Sequence, residues 1–339
     1  MQPTIPMNIP IPPPIGPSPL EVMQDGHEFE SLLNYTFPNV DIISEIRKSI
    51  KEIETARNKR ALCYIANVVN GINNCSIDNT DDLPFREMVA SIPSDIKEID
   101  IILVTPGGLT NQVVNFVNAL RPRFEKVNFI LLDMAMSAGS IFIMSGDEIV
   151  MSKNSKFGPI DPQVTNKEGF FVPAQSILLA IKDIQKRGQQ ALNEGKQPDW
   201  TDIQLLKNID IREVGSALGT SNYSIQITQD FLEKYKFNSW KIHSKKNKIV
   251  TPEERADRAK KVAEILCDHT KWKSHGHFIN RDAANKECMI KITHSESIHN
   301  LDKAMRRMWA LFYWIFESSL ISKVFISNEY CIIKQRSTK

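Results

Sequence analysis

Ile99-Asp100-Ile101-Ile102-Leu103-Val104-Thr105-Pro106-Gly107-Gly108 and Val127-Asn128-Phe129-Ile130-Leu131-Leu132-Asp133-Met134-Ala135-Met136-Ser137-Ala138-Gly139-Ser140 decide how this chain is read. Each run opens as an apolar strand, Ile99–Val104 and Val127–Met134, and then breaks into small residues. Asn111–Leu120 between them reads as a helix, and Ser137–Met144 opens another. Strand, turn and helix in alternation predict an α/β fold, a parallel sheet covered by helices.

The pattern extends in both directions. Val40–Arg60 is an amphipathic helix, with Ile42, Ile43, Ile46, Ile50 and Ile53 at spacings of three and four. Ala61–Val69 reads as a buried strand, Asp78–Asp82 as a polar turn, Leu83–Ile92 as a short helix and Glu148–Met151 as a strand. Beyond Pro173 helices are predicted over 174–192, 200–220, 225–236 and 251–269.

The ends differ from the body. Residues 1–20 carry eight of the 18 prolines and no charge, which excludes a secretory signal and predicts a polyproline-like, flexible or partner-docking arm over 1–35. Met308–Phe316 is an aromatic apolar run too short to span a bilayer, which needs about 20 such residues. It predicts a helix packed on the body, on an oligomer partner or at a membrane surface, within a C-terminal unit (a helix and a strand) over 299–339. The body between is taken as residues 36–298.

With 42 Lys and Arg against 40 Asp and Glu, a net charge of +2 gives no strong pull toward nucleic acid or anionic lipid. Five scattered cysteines without a Cys-x-x-Cys pair predict reduced thiols and a cytoplasmic setting, with neither a disulfide frame nor a zinc site. No metal or cofactor is expected. No phosphate-binding loop is present, so any ATP-driven unfoldase would be a separate chain.

In an open α/β sheet, sites collect at the carboxyl ends of the strands. Gly107-Gly108 can turn sharply and expose backbone N–H groups, either as an ordinary turn or to hold an oxyanion. Ser137 stands among small residues where its oxygen either caps the next helix or stands clear as a nucleophile, with the N–H of Ala138 as a second donor. No Gly-x-Ser-x-Gly elbow is present.

Taken together, these residues resemble a superfamily, the ClpP/crotonase fold. Met134-Ala135-Met136-Ser137-Ala138-Gly139-Ser140 followed by Gly158-Pro159-Ile160-Asp161-Pro162-Gln163 is similar to the serine dehydrogenase proteinase family, over roughly residues 35–295. That family groups with Clp proteolytic subunits and signal peptide peptidases. The resemblance implies a serine peptidase with Ser137 as nucleophile, an oxyanion hole at Gly107 or Gly108 and Ala138, and a homo-oligomer acting on peptides or proteins.

A serine needs a base. The place where Clp subunits carry histidine holds Asp161, and no histidine lies between His27 and His243. Lys182, in the largely apolar Ile177–Ile184 segment, is the preferred base, with Lys153 and Lys156 in reserve. Asp161 either orients a base or closes its proline-bounded loop. His275 and His277 are accessory candidates beside Gly276, where the Clp acid is missing. Three readings follow: a peptidase, cytoplasmic or peripheral to a membrane; a crotonase-type acyl-CoA enzyme; and a degenerate scaffold whose proline arm and C-terminal helix dock partners.

Overall fold

The computed structural model describes residues 16–71, 74–165, 169–243 and 248–335. The chain opens with α1 (Pro19–Val22), α2 (Glu28–Leu33) and α3 (Ile42–Arg57). It then alternates through β1 (Arg60–Ala66), α4 (Asp82–Ala90), β2 (Glu98–Thr105), α5 (Thr110–Leu120), β3 (Lys126–Ala135), α6 (Ala138–Met144) and β4 (Glu148–Met151). Short strands β5 (Lys156–Phe157), β6 (Gln163–Thr165) and β7 (Phe171–Pro173) lead into α7 (Ala174–Asn193), α8 (Trp200–Asn208), α9 (Ile211–Phe231), α10 (Pro252–Cys267) and α11 (His269–Trp272). Last come β8 (Ile279–Asn280), α12 (Arg281–Lys286), β9 (Thr293–His294), α13 (Leu301–Glu317), β10 (Ile321–Ile326) and β11 (Cys331–Gln335).

The main sheet has the order β11-β10-β1-β2-β3-β4-β9. β1, β2, β3, β4 and β9 run parallel, whereas β10 joins β1, and β11 joins β10, antiparallel. β5 extends the sheet beside the end of β3 and pairs with β8. The expected mostly parallel sheet with flanking helices is therefore what forms.

Alternate residues of each strand point to opposite faces, and helices cover both. Leu62, Tyr64, Ile101, Leu103, Phe129 and Leu131 feed a core shared with α4, α5, α6, α9 and α10. Cys63, Ile65, Ile102, Val104, Ile130 and Leu132 feed a second core under α3 and α13. This explains the uninterrupted apolar runs. On the first face Phe85 stacks on Phe116 with ring centroids 4.1 Å apart, and Phe129 meets Phe142 edge-on at 4.8 Å. Each such buried ring contributes about 1.5–3 kcal/mol.

The ends are more embedded than composition suggests. Leu20, Met23 and Leu32 are buried in the second core, and Phe29 and Phe37 pack on Tyr313 and Trp314 of α13 at 5.0 and 5.4 Å. The flexible-arm reading of 1–35 is thus corrected beyond Ser18: a few apolar side chains find an aromatic helix to cover. Residues 1–15, with most of the prolines, lie outside the described residues. α13 buries Leu311, Phe312, Ile315 and Phe316 against the sheet, and β10 sits inside the sheet itself. The C-terminal stretch is built into the body. No helix among the described residues is long and apolar enough to cross a membrane.

Candidate active site

β3 ends at Ala135 and α6 begins at Ala138, so Met136 and Ser137 make the whole connection. Ser137 has φ 51° and ψ −118°, a conformation that costs a residue with a side chain about 1–3 kcal/mol. The surroundings hold it there. Met136 N–H donates to the Thr105 carbonyl at 3.0 Å, Gly139 N–H to Met136 at 2.7 Å and Ser140 N–H to Ser137 at 2.8 Å. The Ser140 hydroxyl donates to the Ala135 carbonyl at 2.8 Å and accepts from Gly158 N–H at 3.0 Å. This is a strained strand-to-helix turn, written here as Ala-x-Ser-x-Gly. Ser137 is half-buried, and its hydroxyl makes no helix-capping bond, so capping is not its role.

The glycine turn is fitted against the serine turn. Gly107 has φ +98°, and a Cβ there would lie 2.6 Å from the Met136 carbonyl oxygen, 2.8 Å from Ser137 Cβ and 3.3 Å from Ala138 N. Gly107 N–H is occupied by Thr105 Oγ1 at 3.1 Å. Gly108 forms a parallel bridge with Ile77: Ile77 N–H donates to the Gly107 carbonyl at 2.7 Å, and Leu109 N–H donates to the Ile77 carbonyl at 2.9 Å. A parallel bridge uses the groups flanking the bridged residue, so Gly108's own N–H faces away from Ile77. Neither Gly108 N–H nor Ala138 N–H has a hydrogen-bond partner among the described residues. The pair with open donors is therefore Gly108 and Ala138, not Gly107.

Asp161 is 1% exposed at the end of the rigid Gly158–Asp161 loop. Its two carboxylate oxygens each face an imidazole: Nδ1 of His275 at 3.0 Å and Nδ1 of His269 at 3.1 Å. A carboxylate accepts only, so each Nδ1 donates to it. Strand register brings the segment that follows His275 to the end of β3. Ala135 pairs with Phe157, and Phe157 with Ile279, so the loop carrying His275 leads into β8 next to Gly158. A Cβ on Gly158 would meet Met136 Cε at 2.5 Å and the His277 carbonyl at 3.6 Å.

The other candidates fall elsewhere. The ring of His277 packs against Trp272 at 5.1 Å. Lys182 is exposed on α7 and has no hydrogen bond or ion pair among the described residues, so the structure does not join it to Ser137. Lys153 is exposed as well. Lys156 Nζ is paired with Asp133 at 2.9 Å and lies 5.0 Å above the Phe278 ring. His269 was not singled out by the sequence. It lies 108 residues from Asp161, and only the fold brings them together.

Residues 33–195 match the family model of ClpP-like SDH-type serine proteinases. An uncharacterized protein of Methanocaldococcus jannaschii is 32% identical over 154 residues, 43% of this chain and 49% of the relative. A second uncharacterized protein of that organism is 34% identical over 94 residues, 28% of this chain and 31% of the relative. The chain thus spans about half the length of one relative and a third of the other. Among solved structures, a mutant of the 1510-N membrane-bound stomatin-specific protease aligns at 20% identity over 36% of this chain and 61% of that one, with a TM-score of 0.27. The ClpP protease catalytic domain from Plasmodium falciparum aligns at 13% identity over 32% of this chain and 57% of that one, with a TM-score of 0.25. The family match contains Gly107, Gly108, Ser137 and Asp161 and ends before His269 and His275. Residues 33–195 of this chain, just under half of its length, are thus similar to the ClpP-like SDH-type serine proteinases.

Proposed function

We propose that the chain is a serine peptidase that cleaves peptide bonds through an acyl-enzyme. Ser137 Oγ attacks the scissile carbonyl, and the tetrahedral oxyanion is held by the N–H groups of Gly108 and Ala138. Nε2 of His275 takes the serine proton and later passes it to the leaving amine, while Asp161 holds the imidazole through Nδ1. Water then repeats the sequence on the acyl group. The base departs from the sequence-based preference for Lys182. What supports the change is that Asp161 and His275 form a hydrogen-bonded acid–imidazole pair on the loops around β5 and β8, whereas Lys182 has no such partner among the described residues. The observation that carries the reading is the left-handed Ser137 turn pressed against Gly107.

The test is a fluorophosphonate probe followed by peptide mapping. A single adduct is expected on the peptide that contains Ser137. An unlabelled chain, beside a labelled control hydrolase, overturns the reading, as does an adduct on another serine.

Self-association belongs to the same proposal. Leu192, Trp200, Leu205, Ile211 and Leu218 of α7, α8 and α9 are 48–78% exposed, apolar side chains that a second copy could cover. Sedimentation is expected to give a mass at a multiple of 38.6 kDa, and a monomer at micromolar concentration removes this part of the proposal.

A further inference from the structure

Lys323 is 1% exposed in the middle of β10, and its ammonium does not point to solvent. It donates to Asp78 Oδ2 at 2.9 Å and to both oxygens of Asp81, at 3.0 and 2.8 Å. Asp81 is further bound by the Tyr64 hydroxyl at 3.0 Å, by Asp78 N–H at 3.1 Å and by Lys334 Nζ at 2.6 Å. Burying a lysine among two aspartates costs several kcal/mol per ion in lost hydration, which geometry this complete offsets. Every partner in the cluster sits on the segment that follows Ile77 or on the strands β1, β10 and β11 beside it. Ile77 in turn clasps the glycine turn from both sides of Gly108, and a Cβ on Gly108 would strike the Ile77 carbonyl oxygen at 2.3 Å.

We propose that Lys323 is a positioning residue of the active site: through Asp78 and Asp81 it fixes Ile77, and Ile77 fixes the direction of the Gly108 N–H. The inference rests on the oxyanion role given to Gly108 above. It adds that the C-terminal strand, outside the family match, is part of the catalytic apparatus. A hole made of main-chain amides stabilises a transition state only when its donors are held before charge develops. Gly108 lies in a glycine turn with φ +142°, a conformation the residue itself does not enforce. The restraint comes from outside, and Lys323 is its anchor.

The experiment uses the full chain with Lys323→Met and, as a milder variant, Asp78→Asn. Residue-resolved amide exchange and steady-state peptidase kinetics are measured side by side, together with affinity for a peptide boronate. In Lys323→Met, protection at the Ile77 and Leu109 amides is expected to fall about tenfold or more, while the amides of β2 and β3 keep theirs. kcat and boronate affinity are expected to fall together by about tenfold or more, with KM within about threefold, because the loss is confined to charge that develops in the transition state. Asp78→Asn, which leaves Asp81 bound, is expected to move the same readouts less, and it carries the test if Lys323→Met does not fold. Unchanged protection at Ile77 and Leu109 overturns the proposal. So does loosened protection with unchanged kcat, or a loss of KM alone. A wild type that cleaves no peptide is the failure of the peptidase reading instead, and the exchange measurement then decides by itself whether Lys323 holds the turn.

Discussion

Ser137→Ala is expected to lose peptide hydrolysis by about a thousandfold or more and to lose fluorophosphonate labelling with it, while the fold stays intact. The alteration removes the only side-chain oxygen on the β3–α6 turn and leaves its backbone bonds in place: Gly139 to Met136, and Ser140 and Ile141 to Ser137. Alanine also leaves φ at 51°, so the strain remains. Ser137→Gly separates the two roles of the position. Glycine adopts this region without the clash of a Cβ, so that variant is expected to be as inactive as alanine yet more stable than it by roughly 1 kcal/mol. Thermal melts of the two inactive proteins check the second part. Retained hydrolysis in Ser137→Ala ends the assignment of the nucleophile. A glycine variant that melts no higher than the alanine variant shows that the turn stores no strain.

The second large effect concerns the base. Asp161→Asn is expected to reduce kcat by about a hundredfold to ten-thousandfold, with His275→Ala falling in the same range. An amide at 161 has one oxygen to offer where two imidazoles each need an acceptor, so one ring turns over and its Nε2 becomes a donor. His269→Ala is expected to cost less, because it stands on α11, farther along the chain from β8, and the oriented His275 remains. Lys182→Ala is expected to stay near wild type. Single-turnover acylation of the four variants gives the comparison. A dead Lys182→Ala beside an active His275→Ala would return the base to the lysine and leave Asp161 as a loop element.

The parts of the fold set by local pattern were legible. Apolar runs at Ile99–Val104 and Val127–Met134, bounded by small residues and separated by a helical spacing, gave β2, α5 and β3 nearly to the residue. Ser137 and the glycine pair were legible for the same reason: each sits where a buried strand stops. What escaped is non-local. β10 pairs with β1, and Asp161 meets His269 and His275, through contacts that no periodicity records. Lys182 illustrates the opposite error. Its apolar neighbours in sequence predict burial, yet α7 turns that lysine outward. The proline-rich start misled by composition, since only a few side chains such as Leu20 and Leu32 were needed to seat residues 18–33 on α13.

The pairing of β1 with β10 carries a consequence for the order of events during synthesis. Asn67, just past β1, donates to the carbonyl of Ile321 across 254 residues of chain. Until residues 321–326 have left the ribosome, the outer edge of β1 lacks its native neighbour while β2 already occupies the inner one. An open edge of apolar sequence is a template for other strands, and a contact closed across so long a loop forms late. A nascent or truncated chain that ends before β10 therefore presents Cys63, Tyr64 and Ile65 to any extended segment nearby. Mispairing on the ribosome should begin at that edge.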